Sequence, residues 1–287
     1  MNIIEALNWA QGQLLDNKEN PKLDAQVILA HILGKGTAYL FAHGDDELTS
    51  SHIESFQRLI DRRARHEPVA YLIGKKEFYG RDFTVNPHVL IPRPDTECLV
   101  DLAKTLITPT TLIIDVGTGS GAIALTLAAE TGRPAVAIDL SASALAVAKL
   151  NADNLKLNHL VAFFEGDLLT PLLRASAGES LGTHAVITAN LPYISTRQYD
   201  ALEPNVKAYE PAGALVSGID GLDHYDRLFS QIKLNRHSLP SKLDVLIEID
   251  PSQKTSAPAL IKSHFLQSKT FVHNDLTGRA RIIITHF

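Results

Sequence analysis

Asp115-Val116-Gly117-Thr118-Gly119-Ser120-Gly121 closes an apolar run that starts near Thr111 and leads into a helical stretch from about Ala122. Glycines at alternate positions let the backbone turn tightly between a strand and a helix, and they admit a ligand close to the main-chain N–H groups at the helix start. Asp139 ends the next apolar run, twenty residues past Gly119, where a carboxylate accepts hydrogen bonds from ribose hydroxyls. These residues lead us to expect a nucleoside-containing cofactor held by Gly117, Thr118, Gly119, Ser120, Gly121 and Asp139. With Ala122 in last place the loop also satisfies the dinucleotide fingerprint, so a nicotinamide enzyme stays open. Asp115 tilts the choice, since a carboxylate there suits a cofactor's amino group and sits poorly beside a pyrophosphate.

Around this loop, apolar runs and helical stretches alternate from Pro94 to the C-terminus. The pattern predicts strands near 111–116, 135–139, 161–165, 184–189, 243–249, 269–273 and 280–286. Helical segments are predicted near 95–107, 121–131, 141–153, 221–235 and 252–266. This alternation argues for an α/β fold, a Rossmann-like parallel sheet with helices on both faces. The last two strands have no helix between them and should pair antiparallel.

Residues 1 to about 66 read as helices: Ile3, Ile4, Leu7, Trp9 and Leu14 recur at helical spacing, and Leu23 to Leu33 is a second amphipathic stretch. Ser51-His52-Ile53-Glu54 has capping-box spacing before Phe56, Leu59 and Ile60. Val69, Tyr71, Ile73, Phe78, Phe83 and Val85, punctuated by Gly74, Gly80 and Pro87, predict a hairpin that serves as a stiff linker. The expected division is a helical bundle over 1–72, a hairpin linker over 73–92 and an α/β domain over 93–287.

A chain of 287 residues builds a core of that size without disulfides or metals. One cysteine, Cys98, excludes an intrachain disulfide framework and fits a reducing, cytoplasmic compartment. The N-terminus lacks a basic region followed by a long apolar run, and nothing is long and apolar enough for a membrane span. A formal net charge of -5 leaves no global footprint for nucleic acid, so no direct nucleic-acid binding is expected. Arg58, Arg62, Arg63 and Arg65 read first as the solvated face of a helix. The twelve histidines lack metal-ligand spacing, and one cysteine cannot build a thiolate zinc site.

Asn190-Leu191-Pro192-Tyr193 follows the apolar run Ala185–Ala189 and carries the expected chemistry. A planar amide or aniline-like nitrogen is a poor nucleophile because its lone pair is delocalised. Two acceptors on its hydrogens fix its orientation, and Asn190 Oδ1 and the Leu191 carbonyl are suitable. Pro192 stiffens the turn and removes a competing N–H, and Tyr193 offers an aromatic face. Asp167, in Glu165-Gly166-Asp167-Leu168, holds an adenine amine with Leu168 on the ring, or else caps the following segment. Arg93 and Glu97 either line the mouth of the site or anchor domains through ion pairs. Ser141 and Ser143 read as helix caps.

Taken together, Glu77-Phe78-Tyr79-Gly80, Ile91-Pro92-Arg93-Pro94-Asp95-Thr96-Glu97, the Gly loop and the Asn190 turn resemble the HemK/PrmC family. Glu210-Pro211, Gly218-Ile219-Asp220-Gly221-Leu222 and Asp275-Leu276-Thr277-Gly278-Arg279-Ala280-Arg281 extend the resemblance over nearly the whole chain. The resemblance implies a seven-stranded methyltransferase that uses S-adenosyl-L-methionine and leaves S-adenosyl-L-homocysteine. Its implied substrate is the N5 amide of the glutamine in the Gly-Gly-Gln motif of peptide-chain release factors, and a monomer is expected. The implied catalytic and substrate-binding residues are Asn190, Leu191, Pro192 and Tyr193, with Arg93 at the mouth. The implied cofactor set is Asp115, Gly117, Thr118, Gly119, Ser120, Gly121, Asp139, Asp167, Leu168 and Asn190. A sister group methylates a glutamine of ribosomal protein uL3, and Asn-Leu-Pro-Tyr is also the form common in adenine-N6 dimethylases acting on ribosomal RNA. Outside this class stand a nicotinamide-dependent oxidoreductase and a cofactor-binding protein without catalysis. The family normally has Asn-Pro-Pro-Tyr where this chain has Leu191, and tends to have Gly in place of Asp250, where local rearrangement is expected.

Overall fold

A computed structural model describes residues 1–15, 20–176 and 181–287. The chain divides into two compact units, one of Met1–Lys75 with Glu203–Tyr209 and one of Lys76–Leu202 with Glu210–Phe287.

The first unit is helical: α1 (Ile3–Gln13), α2 (Pro21–Leu33), α3 (Thr37–Ala42), α4 (Ser50–Ala64) and α5 (Val69–Ile73). Ile3, Ile28, Leu29, Phe56 and Ile60 form its core, each at most 1% exposed. Thr49 caps α4 by accepting the His52 N–H at 3.2 Å, so the cap lies two residues before the expected Ser51. Val69, Tyr71 and Ile73, read as a strand, are helical because Pro68 starts the turn with a fixed φ and Gly74 ends it at φ 72°. Arg63 does not belong to a solvated face, since its side chain is buried and pairs with Asp24 at 2.7 Å. Arg62 pairs with Glu67. The 203–209 segment was expected with the α/β domain but joins this unit, where the Tyr209 hydroxyl donates to the Arg65 carbonyl at 2.8 Å.

The hairpin is shorter than expected, β1 (Lys75–Phe78) and β2 (Arg81–Thr84). It is more than a linker: Phe78 and Phe83 are buried in the core of the second unit, with Leu99, Ala124 and Leu127. The second unit continues with α6 (Glu97–Leu106), β3 (Thr111–Val116), α7 (Ala122–Thr131), β4 (Ala135–Asp139), α8 (Ala142–Asn154), β5 (Val161–Glu165) and α9 (Thr170–Ala175). There follow β6 (His184–Ala189) and α10 (Thr196–Asp200), then α11 (Pro204–Tyr209) of the first unit. The chain ends with α12 (Asp223–Leu234), β7 (Lys242–Glu248), α13 (Ser256–His264), β8 (Lys269–Asn274) and β9 (Ala280–His286).

Seven strands form one sheet in the order β5-β4-β3-β6-β7-β9-β8, with β9 antiparallel to both β7 and β8. The order reverses between β4-β3 and β6, and the C-terminal ends of those strands carry the Gly loop, Asp139 and Asn190. A switch point of this kind is where open α/β sheets bind ligands. All six residues of β6 are buried, as a central parallel strand covered on both faces requires.

Candidate active site

The Gly loop is tied down from inside. Gly117, Gly119 and Gly121 adopt φ of 72°, 55° and 82°, a region that L side chains avoid. The Gly117 and Thr118 N–H groups donate to the Ile138 carbonyl, Gly119 N–H to Asp139 Oδ2 at 2.8 Å, and Gly121 N–H to the Thr118 carbonyl. Four amides that a pyrophosphate would draw on are thus spent within the fold. A methyl added to Gly119 would meet nothing within 4 Å, whereas one added to Gly117 would stand 2.7 Å from Leu191 Cδ2. Gly121 packs instead against Leu125 and Ala148, away from the cavity.

A cavity of about 420 Å³, within the usual ligand range of roughly 300–1,000 Å³, opens at the strand ends. Gly117, Thr118, Gly119, Ser120 and Asp139 lie on its wall, as do Asp167 and Leu168. Asn190, Leu191, Pro192 and Arg93 complete the expected residues there. Asp115, Gly121 and Tyr193 do not reach the wall.

Asp115 is wholly buried under the loop because it points inward from the central strand. Its carboxylate accepts from Thr118 Oγ1 at 2.7 Å and from Thr188 Oγ1 at 2.8 Å, Thr188 being its partner across β3 and β6. Burial raises its pKa to about 6 against those hydrogen bonds. It holds the loop from below, its carboxylate engaged by Thr118 and Thr188 behind the cavity wall. Asp139 faces the cavity, accepts from Gly119 and Ser141 N–H groups, and is also raised by burial.

Asp167 lies on the wall with both oxygens engaged: Arg227 Nη2 donates to Oδ1 at 2.5 Å and Gln231 Nε2 to Oδ2 at 3.0 Å. Its neighbour Leu168 takes φ 50°. Arg93 Nη2 donates to Oε1 of buried Glu210 at 2.5 Å, and Glu210 Oε2 accepts the Ile91 N–H at 3.2 Å. Arg93 thus lines the mouth and anchors the Ile91–Arg93 segment at once. Glu97 lies off the wall and accepts the Tyr79 N–H at 2.9 Å. Asn151 of α8 ties the hairpin to the loop, with Nδ2 donating to the Thr84 carbonyl at 3.0 Å and the Ser120 carbonyl at 2.9 Å.

The Asn190 turn is braced on its inner side. Asn190 Nδ2 donates to Thr96 Oγ1 at 3.2 Å and to Glu248 Oε2 at 3.1 Å, and no described side chain or N–H donates to Oδ1. Buried Tyr225 accepts the Leu191 N–H at 3.3 Å and gives its one proton to the Glu248 carbonyl. The Leu191 carbonyl, 3.5 Å from the same hydroxyl, therefore keeps its acceptor capacity. Tyr193 does not offer its ring to the cavity wall, since its hydroxyl turns to Glu248 Oε1 at 3.3 Å. The Tyr193 carbonyl accepts from Gln253 Nε2 at 3.0 Å, over Gly221, where a Cβ would stand 2.0 Å from that carbonyl. Asp250 caps the turn that presents Gln253, at φ −68°, so an Asp is accommodated where the family tends to have Gly.

Glu248, Tyr225, Gln231 and Gln253 were missed from the sequence. Glu248 alone carried a signal, a carboxylate that follows the apolar run Val245–Ile247 at the end of its strand.

Comparison with known proteins gives a consistent set. Residues 5–74 match the model of the PrmC N-terminal domain, and residues 113–212 match a methyltransferase domain. A release factor glutamine methyltransferase of Bacillus subtilis is 36% identical over 98% of this chain and 96% of the relative. One from Nitratidesulfovibrio vulgaris is 37% identical over 92% and 87%. Among solved structures, the hMettl16 catalytic domain in complex with a MAT2A 3'UTR hairpin shares the fold, with a TM-score of 0.58 at 14% identity over 91% of this chain and 90% of that one.

Proposed function

Since this chain belongs to the release factor glutamine methyltransferase family, we propose that it methylates the side-chain N5 of the Gly-Gly-Gln glutamine in peptide-chain release factors. The observation that carries this reading is Asn190, whose NH2 is engaged inward by Thr96 and Glu248 while Oδ1 has no described donor and the residue lines the cavity.

The residues present fit S-adenosyl-L-methionine. Glycine at 119 leaves open space where a side chain would stand, and Asp139 offers carboxylate lone pairs beside it. Gly117, Thr118, Gly119, Ser120, Asp139 and Leu168 would hold the cofactor, with Asp167 beside them. When bound, it supplies an electrophilic sulfonium methyl. Asn190 Oδ1 and the Leu191 carbonyl accept the two hydrogens of the substrate amide and aim its nitrogen, and Pro192 stiffens the turn. Holding reactants in line contributes up to roughly 7–11 kcal/mol of barrier lowering. The methylated nitrogen is cationic and strongly acidic, so it loses its proton without a positioned base. A nicotinamide reading has little support, because the loop amides are already spent.

No described residue of the N-terminal unit is among those that line the cavity, and we assign the unit to selecting the protein substrate. A cytoplasmic location goes with a substrate that works on the ribosome. No helix among the described residues is long and apolar enough to cross a membrane.

The test is incubation with S-adenosyl-L-methionine and, separately, a purified release factor, ribosomal protein uL3 and ribosomal RNA, followed by mass spectrometry. One methyl group on the Gly-Gly-Gln glutamine is expected. Methylation of uL3 or RNA with none on the release factor contradicts the proposal.

A further inference from the structure

Asn190 can serve as an acceptor only if its carboxamide is turned the right way. A half-turn about its last torsion would exchange Oδ1 for an NH2 that repels the substrate's own N–H groups. Proximity to the cavity does not decide between the two orientations. The groups behind the carboxamide do.

Two groups face its inner edge, and both accept. Glu248 Oε2 stands 3.1 Å from Nδ2, and an ionised carboxylate has no proton to give. Thr96 Oγ1, 3.2 Å from Nδ2, hydrogen-bonds Glu248 as well, so its single proton goes to the carboxylate and a lone pair faces Asn190. The Tyr193 hydroxyl adds another donor to Glu248 at Oε1. Glu248 thus gathers Asn190, Thr96 and Tyr193 around one buried carboxylate, 1% exposed. Resting on the functional reading above, we infer that Glu248, acting with Thr96, is a positioning residue that locks the Asn190 carboxamide with its oxygen toward the substrate amide.

The lock requires Glu248 to be ionised. Burial raises its pKa, opposed by the Thr96 and Tyr193 hydrogen bonds and by the Arg281 charge, and reinforced by Asp95. Arg281 is itself paired to Asp95 at 3.0 Å and lies 3.5 Å from Asp275, while Tyr225 and Cys98 also sense the carboxylate. Protonated Glu248 gains a donor, and the half-turned Asn190 then finds a partner. Acid therefore releases the lock.

The experiment pairs nuclear magnetic resonance of the Asn190 side-chain NH2, identified through Asn190→Ala, with kinetics on a Gly-Gly-Gln peptide. In the unmodified chain the Asn190 signals and kcat at saturating cofactor should titrate together, with a midpoint above the ordinary carboxylate range. In Glu248→Gln, which keeps the shape, both pH dependences vanish and kcat falls about ten- to a hundredfold, with S-adenosyl-L-homocysteine affinity within about twofold. Thr96→Val should follow Glu248→Gln, and Thr96→Ser should recover what Thr96→Val loses. Titration of Asp115 is separable, because a loop effect enters through the KM for cofactor. The inference is overturned if the Asn190 signals ignore Glu248→Gln, or if kcat falls only in step with melting temperature while its pH profile stays. If the signals behave as expected but the unmodified chain methylates no glutamine, the orientation lock stands and the functional reading falls.

Discussion

Gly117 and Leu191 meet across the two motif loops so closely that a single methyl on Gly117 would lie 2.7 Å from Leu191 Cδ2. The cofactor loop and the catalytic turn are therefore fitted to each other, although seventy-four residues separate them in the chain. Gly119 has a different reason to be glycine, since its missing side chain would enter open space. Gly117→Ala should accordingly cost stability, through both φ and overlap, by about 2–4 kcal/mol. Gly119→Ala should cost only about 1–2 kcal/mol from φ, yet abolish measurable S-adenosyl-L-homocysteine binding. Urea unfolding and calorimetry on the two variants check this ordering.

Leu191→Pro restores the turn usual in the family. It removes an N–H that donates to Tyr225 and apolar surface packed on Gly117, but not the carbonyl assigned to the substrate. Stability should fall by about 1–2 kcal/mol, while turnover on a Gly-Gly-Gln peptide stays within a few-fold. A loss of turnover as large as that expected for Asn190→Ala would mean that the leucine side chain takes part in the reaction.

Asp139→Ala removes the carboxylate that the Gly119 and Ser141 N–H groups share at the cavity wall. Cofactor affinity should weaken by roughly 1.5–3 kcal/mol, the range for hydrogen bonds to a charged group. Unchanged affinity for S-adenosyl-L-homocysteine by calorimetry would leave Asp139 a purely structural role.

Asp115 gives a pH signature of opposite sign to that of an ordinary paired carboxylate. Its pKa rises from 3.8 to about 6 on folding, burial being the main cause. Between those values the folded chain holds more protons than the unfolded one, so its contribution to stability is present at low pH and is lost as pH rises through about 6. The full effect is roughly 3 kcal/mol. Asp115→Asn should therefore be more stable than the unmodified chain at pH 7, with the advantage fading below about pH 4. Urea titrations of both proteins across that window read the difference directly.

The sheet was legible because its strands are short apolar runs bounded by glycine, aspartate and asparagine, and β3, β4, β5, β6 and β9 begin and end at the expected residues. Local chemistry also placed Asp139 and Asn190 at strand ends facing one cavity. Val69 to Ile73 misled, since alternation over five residues cannot outweigh a Pro68 start and a Gly74 stop. Asp115 has a bracing role that was not legible: its inward direction depends on Thr188, far along the chain, and a loop motif says nothing of what lies beneath it. Glu248 and Tyr225 brace the turn from β7 and α12, and only the tertiary fold brings them there.

Asn190's assignment is to the substrate nitrogen, although it shares the cavity wall with the cofactor residues. Its most direct test measures methyl transfer to a Gly-Gly-Gln peptide and S-adenosyl-L-homocysteine affinity in one preparation of Asn190→Ala. Affinity within a few-fold of the unmodified chain is expected, with a rate lower by roughly two to three decades, as when a preorganised polar group is deleted. Near-normal turnover, or a rate loss explained by lost cofactor binding, would contradict it.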